Sequence, residues 1–193
     1  TESVVDGGNC VIYADAQDFG LTGTEPPEKI NSDSELLARI EKLRGLISVE
    51  LGFVERWEDA KIKTPFQPFF ALISPAATYT TYTGECVRKD DVDIVARLYV
   101  MGLVTKAYPG TATVSIGCAV RIRGSLVQEM LSESALKKNE INIGHPTGII
   151  TVTSVAEETE TIVPDMKQLS FIRTARVLMD GTVYVRKSTL EAN

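Results

Sequence analysis

Residues 140–152 read E-I-N-I-G-H-P-T-G-I-I-T-V. Apolar Ile141 and Ile143 alternate with polar neighbours, and a second apolar run follows, which is the pattern of two short β-strands. Between the runs, residues 144–148 consist of glycine, proline, threonine and histidine, and they interrupt the pattern with turn-forming chemistry. The stretch therefore predicts a β-hairpin built around His145, the only histidine of the chain.

A second stretch, residues 173–185, reads R-T-A-R-V-L-M-D-G-T-V-Y-V. An apolar run leads into Asp180-Gly181, a dipeptide that favours two-residue hairpin turns, and a run of β-forming residues follows it. This stretch predicts the last hairpin of the chain.

The composition is that of a globular protein, because 193 residues with 44% hydrophobic content can bury a sizeable core. The chain has 20 basic and 26 acidic residues, and the net charge of −6 argues against binding to nucleic acid or to an anionic membrane surface. No apolar run is long enough to span a bilayer. The sequence therefore predicts neither a nucleic-acid partner nor a membrane partner.

The three cysteines, Cys10, Cys86 and Cys118, include no C-x-x-C pair and are odd in number. This usage fits a reducing compartment, so we expect a cytoplasmic protein without a disulfide framework. Cys118 lies inside an apolar run and is expected in the core. The acidic residues of segment 157–160 lack the ligand spacing of a cation loop, so we expect no metal site.

Several segments predict regular structure. Strands are expected at Val11–Ala14, after a glycine turn, and at Phe69–Ile73. The spacing of Ser32 and Glu35 is that of a capping box, and the helical period of apolar residues that follows predicts a helix ending near Gly52. Residues 57–63 read as a polar linker. Residues 92–104 are compatible with either helix or strand on periodicity alone.

Residues 106–113 read K-A-Y-P-G-T-A-T and lead into an apolar segment. A turn at Pro109, Gly110 and Thr111 that enters a helix points free backbone N–H groups, and the positive end of the helix dipole, at whatever lies in front of it. Carboxylates bind well at such a place, although many helices begin this way without a ligand. The glycine turn at residues 6–10 is a second candidate, because its backbone allows close approach and the Asn9 amide can donate and accept hydrogen bonds.

Four short motifs together resemble the PrpF family of isomerases: D-G-G-N at residues 6–9, L-T-G-T-E at 21–25, G-H-P-T-G at 144–148, and R-T-A-R-x-L-M-x-G at 173–181. The agreement covers almost the whole chain but corresponds to the second half of such a protein. The absence of an initiator methionine fits a piece of something longer. We therefore expect residues 1–193 to form a single C-terminal-half domain, whose final strand, at about 181–187, packs on the N-terminal half.

The resemblance implies an α+β fold of the diaminopimelate epimerase type, in which a curved, mostly antiparallel sheet wraps a central helix in each half. It favours a strand at residues 92–104. It also implies that substrate lies between the two central helices, so that Asn9, Cys10, Gly110, Thr111 and His145 are the candidate substrate-binding residues here. His145 would act as acid, base or hydrogen-bond donor, or else would only satisfy backbone groups in its own turn.

The function implied is cofactor-independent isomerisation of a small unsaturated carboxylate, with the catalytic residues in the missing first half of the protein. The chain departs from the family pattern at Cys10, Thr105 and Ala112, where proline, histidine and glycine are usual. These departures favour an alternative, a non-catalytic carboxylate-binding or partner-stabilising module. The sequence leaves homo-oligomerisation open.

Overall fold

The computed structural model describes residues 2–173 and 175–187. Their strands are β1 (Glu2–Asp6), β2 (Cys10–Asp15), β3 (Phe69–Pro75), β4 (Tyr79–Thr80), β5 (Cys86–Val87), β6 (Ile94–Val100), β7 (Leu103–Val104), β8 (Glu140–His145), β9 (Gly148–Glu157) and β10 (Asp165–Phe171). Their α-helices are α1 (Pro27–Asn31), α2 (Ser34–Glu50), α3 (Ala60–Lys63), α4 (Gly110–Ala119), α5 (Leu126–Met130) and α6 (Glu133–Leu136).

The main sheet has the strand order β1-β2-β3-β6-β8-β9-β10, with β7 beside β6. Neighbouring strands run antiparallel except for β2 with β3 and β6 with β8. The second sheet contains only β4 and β5. Residues 92–104 therefore contribute strands β6 and β7, as the family resemblance favoured.

The sheet curls around helix α4, because strands from both of its edges reach the same helix. At one edge, the turn after β1 places Gly7 against Cys118 and Ser115 of the helix. At the other edge, Leu169 of β10 packs against Gly117. The predicted α+β fold, a curved sheet around a central helix, is confirmed. The inner face of the sheet and helix α4 share one large core, which includes Cys118 as expected.

The outer face of the sheet is covered by helices α1 and α2. Ile12, Phe70 and Leu72 of the strands pack there in a second core with Ile30 and Ile40 of the helices. Because neighbouring residues of a strand point to opposite faces, the strands under both cores are continuously apolar. This two-sided burial explains why the predicted strands at Val11–Ala14 and Phe69–Ile73 lack an alternating pattern.

The hairpin at residues 140–152 is confirmed. Strands β8 and β9 pair antiparallel, and His145 lies opposite Gly148. The turn is shorter than the sequence suggested, since only Pro146 and Thr147 lie between the strands. Gly144 belongs to strand β8, and a β-carbon there would lie 3.0 Å from the Tyr79 ring, so a side chain would require Tyr79 to shift slightly.

Three other predictions need correction. Helix α2 is capped by Asp33, whose carboxylate accepts from the N–H groups of Glu35 and Leu36, so the cap is one residue later than Ser32. An aspartate is an equally good cap, and here the chain geometry selects it. Residues 57–63 are a 3₁₀ turn followed by helix α3. Composition alone predicted a linker at residues 57–63. The segment is helical because Ala60 packs in the interior.

The predicted last hairpin is wrong for the described residues, because no strand occurs in residues 175–187. The side chains of Val177, Met179 and Tyr184 are 88, 85 and 93% exposed there. β-forming residues favour a strand when a neighbouring strand pairs with them and a surface covers their side chains. This segment has neither within the described residues. Thr174 lies outside the described residues. The described part of the chain contains no helix long and apolar enough to cross a membrane.

Candidate functional site

Helix α4 starts with unpaired backbone donors. Its N-cap is Pro109, which has no side chain that could accept hydrogen bonds, and the first helical bond runs from the Thr113 N–H to the Pro109 carbonyl at 2.9 Å. The N–H groups of Gly110, Thr111 and Ala112 therefore precede the helical ladder. Thr111 is exposed, so this end of the helix is open to solvent, and its dipole favours an anion there.

An aromatic ring borders this opening. A β-carbon built on Gly110 would lie 2.3 Å from Cζ and 2.8 Å from Cε2 of Phe171, the last residue of β10. Gly110 does not have a positive φ angle, so the backbone does not require glycine there. A side chain at residue 110 would require the Phe171 ring to move.

The glycine turn between β1 and β2 lies alongside the same helix. A β-carbon on Gly7 would be 2.6 Å from Sγ of Cys118, and Gly8 has a φ angle of 102° that favours glycine. Asn9 follows, half-buried, and its Oδ1 accepts a hydrogen bond from Nε2 of Gln67 at 3.1 Å. This bond fixes the amide plane and leaves Nδ2 without a partner in the described chain.

The thiol of Cys10 does not have the properties of a nucleophile. Cys10 is buried, and burial followed by the charge of Asp6 raises its pKa. The same two causes raise the pKa of Cys118. Both thiols are thus protonated at neutral pH, whereas a reactive cysteine needs its thiolate. Any contribution from residue 10 would come from its backbone.

His145 lies near the chain segment that leads into helix α4. Strand β8 pairs in parallel with β6 up to Gly144 opposite Val95, so His145 is level with the next residue of β6. The N–H of Thr105 donates to the Leu98 carbonyl at 2.8 Å, two residues farther along β6. Strand residues are about 3.3 Å apart, so the backbones of His145 and Thr105 lie about 7 Å apart along the same side of β6.

The imidazole of His145 is buried and neutral. Burial, assisted by the positive charge of Arg97, lowers its pKa to about 4. Its Nδ1 lies 3.2 Å from Oγ1 and 3.4 Å from the N–H of Thr147, within its own turn. At pH 7 the ring therefore can donate or accept a hydrogen bond but is not a cationic acid.

Two residues that sequence reasoning did not assign to the site hold this turn in place. The hydroxyl of Tyr79 donates towards the carbonyls of His145 and Gly148. The Arg97 guanidinium lies 5.0 Å above the Tyr79 ring and donates from Nε to the Glu25 carbonyl at 2.8 Å. The signal in the sequence was an arginine inside an apolar strand, because a buried charge needs a reason to be there.

No group of three or more histidine, cysteine, aspartate or glutamate side chains that could hold a metal occurs in residues 2–173 and 175–187. Glu158 and Glu160 are exposed. The free donors at the start of α4 are backbone N–H groups, and the Asn9 amide lies in the glycine turn that packs beside the same helix. Such groups suit a carboxylate better than a cation.

A curled, mostly antiparallel sheet around a helix with an open, amide-lined N-terminus defines one half of a diaminopimelate epimerase-like fold. The chain belongs to the PrpF protein family, whose family model matches residues 1–186.

The relatives of the chain include isomerases. It is 37% identical to the 3-methylitaconate isomerase of Eubacterium barkeri, over 97% of this chain and 48% of that protein. It is 34% identical to the 2-methyl-aconitate isomerase of Shewanella oneidensis, over 96% and 46%. The crystal structure of a methylitaconate-delta-isomerase superposes with a TM-score of 0.78 at 32% identity, covering 89% of this chain and 46% of that one. The chain spans about half the length of the curated relatives it matches.

Proposed function

We propose that this chain is the C-terminal half of a PrpF-type isomerase that acts on small unsaturated di- or tricarboxylates of the methylaconitate, aconitate or methylitaconate class. The observation that carries the proposal is the solvent-open N-terminus of α4, where the N–H groups of Gly110 and Thr111 have no partner in the described chain. Both residues stand where the family resemblance expects substrate. The names of the relatives support the choice of substrate class.

In the proposed complex, the N–H groups of Gly110 and Thr111 donate hydrogen bonds to a carboxylate of the substrate at the positive end of the helix dipole. The Nδ2 group of Asn9 and the backbone of Cys10 are additional donors. His145, held neutral, supplies a hydrogen bond without adding a charge. These groups act through position and dipole, so they also stabilise negative charge that develops on the substrate during reaction.

The reaction itself moves a proton between two carbons. A base removes a proton next to a carboxylate, the resulting enolate-like anion is stabilised by hydrogen bonds, and an acid returns a proton to a different carbon. These reaction steps require no cofactor. We assign proton transfer to groups of the complementary N-terminal half, a lysine and a cysteine in the family pattern. The raised pKa values of Cys10 and Cys118 make their thiolates scarce, and the lowered pKa of His145 makes its imidazole a weak base.

The described residues after β10 support a partner half. Val177, Leu178 and Tyr184 are 88, 81 and 93% exposed, which is costly for large apolar side chains in a segment of β-forming residues. We assign this segment to contact with the complementary half, where residues of about 181–187 would form the expected final strand. Pairing there would bury these side chains and satisfy their backbone groups.

A second candidate function is a non-catalytic carboxylate-binding or partner-stabilising module. Pro109 provides no acid or base at the start of α4, and the Cys10 thiol is buried and protonated. These features, with the departures at Thr105 and Ala112, are compatible with binding alone.

One experiment separates the two functions. The chain is combined with a complementary half, and the ultraviolet absorbance of methylaconitate is followed together with deuterium uptake from D₂O. The proposal expects a spectral change and carbon-bound deuterium with both halves, and neither with this chain alone. Two folded and associated halves that bind the acid without changing its spectrum establish the binding module. Deuterium uptake with this chain alone disproves the division of roles.

A further inference from the structure

Helix α4 carries two glycines, Gly110 and Gly117, and strand β10 places a large side chain on each. A β-carbon on Gly117 would lie 3.1 Å from Cδ2 of Leu169, and one on Gly110 would lie 2.3 Å from Cζ of Phe171. Leu169 and Phe171 are two residues apart on one strand, so they point to the same side of it. The two contacts differ in one respect: only Phe171 lies where the helix is open.

Phe171 is half-buried, and its ring packs on the side of Gly110 where a β-carbon would lie. Gly110 and Thr111 carry free N–H groups at this end of the helix. A carboxylate bound by these amides would bring its neighbouring carbon atoms to the ring. A flat apolar surface beside an anion site suits a planar unsaturated acid that carries an alkyl group.

We infer that Phe171 is a specificity-determining residue, whose ring contacts the alkyl branch of an unsaturated carboxylate bound at the start of helix α4. The inference rests on the proposed function, since it concerns the same site. Beyond the proposed function, it assigns to Phe171 the discrimination between a methyl-bearing acid and its unbranched counterpart.

The test uses two acids that differ by one methyl group, citraconate and maleate. Each is titrated into the isotope-labelled chain combined with its complementary half, and the amide signals of Gly110 and Thr111 are followed by NMR. One buried methyl group corresponds to about a fourfold gain in affinity, so citraconate should bind about four times more tightly than maleate. In Phe171→Ala this ratio should fall to about 1.

The matched control is Leu169→Ala, on the same strand and the same helix face but against Gly117, away from the opening. It should lower stability and leave the affinity ratio unchanged. Phe171→Leu keeps an apolar side chain and should retain part of the preference for citraconate over maleate. It replaces Phe171→Ala in the test if the alanine variant does not fold.

Each outcome decides a separate point. An unchanged ratio in Phe171→Ala, or an equal loss in Leu169→Ala, overturns the role of Phe171 and leaves the carboxylate site standing. Binding of both acids by a protein that leaves the methylaconitate spectrum unchanged overturns the proposed activity and leaves the role of Phe171 standing. If neither acid shifts the two amide signals in the unmodified protein, the site at the start of α4 is overturned, and the role of Phe171 with it.

Discussion

The hydroxyl of Tyr79 donates towards the backbone carbonyl of His145 across 2.9 Å, and the carbonyl of Gly148 lies 2.7 Å from the same oxygen. A phenol has one proton, so the two carbonyls share one donor. Tyr79 thereby joins the end of β8 to the start of β9 and sets the shape of the turn that carries His145. The Tyr79 ring also explains Gly144, because a β-carbon there would be 3.0 Å from Cε1 and from the hydroxyl.

Replacing Tyr79 with phenylalanine should lower the free energy of unfolding by about 1 kcal/mol, because two carbonyls lose their donor while the ring packing is kept. Urea denaturation at pH 7 measures this loss. Tyr82→Phe is the matched control, because Tyr82 is 49% exposed and its hydroxyl accepts a hydrogen bond from the Lys106 ammonium at 2.7 Å. Equal losses in the two variants would contradict the role of Tyr79.

His145 should titrate with a midpoint of about 4, and its imidazole proton signals are unambiguous because the chain has one histidine. Since the folded pKa lies below the ordinary value of 6.5, the stabilising contribution is complete above pH 6.5 and is lost as the pH falls to about 4. Between pH 6.5 and pH 4, the free energy of unfolding should fall by about 3 kcal/mol more in the unmodified chain than in His145→Gln. A midpoint near 6.5 in the folded protein would disprove the buried, neutral state.

Arg97→Met should raise the pKa of His145, because the positive charge of Arg97 is the second cause of its lowering after burial. The same NMR titration measures the shift. Arg97→Lys, which keeps the charge, should shift the midpoint less.

Arg121→Met is the control for the Arg97 experiment. The Arg121 guanidinium donates to the carbonyls of Leu136 and Ser154, and it does not affect the pKa of His145. This variant should lose stability without moving the His145 midpoint. A midpoint that is the same in Arg97→Met and in the unmodified chain would show that burial alone keeps the imidazole neutral.

Gly110→Ala should destabilise the chain by about 1–3 kcal/mol, since the new methyl group meets the Phe171 ring. The double variant Gly110→Ala with Phe171→Ala should recover much of this loss, because the clash has been removed. Thermal or urea unfolding gives all the free energies of the cycle. Gly181→Ala, with no neighbouring atom within 4 Å of its β-carbon position, is the neutral control. Additive losses would show that the two residues do not interact.

Val177→Asp and Tyr184→Asp should leave the stability of the chain alone within about 0.5 kcal/mol, because both side chains are exposed. The same variants should weaken association with the complementary half at least tenfold if the segment docks there. Calorimetric titration of one half with the other measures the affinity. Glu160→Ala, in an exposed loop before β10, is the control. Unchanged affinity in both aspartate variants would remove this segment from the interface.

Much of the architecture could be predicted from local patterns. The hairpin at residues 140–152 follows from alternation and turn residues, and helix α4 follows from a proline-glycine turn before an apolar run. Strand β10 was not predicted, because its sequence from Asp165 to Phe171 alternates polar and apolar residues weakly and only its inner side packs on α4. The segment after Phe171 has β-forming residues without a partner strand among residues 2–173 and 175–187, which local patterns cannot reveal.

For the site, the sequence by itself determined the chemical groups: a glycine turn with Asn9, amides at Gly110 and Thr111, and a single histidine. Only the tertiary structure decided that Phe171 lies on Gly110, that Tyr79 holds the His145 turn and that burial, assisted by Arg97, keeps the imidazole neutral. The physical reason is that turns and helix starts depend on neighbours in sequence, whereas burial, charge and steric contact depend on residues that the folded sheet brings together from distant positions.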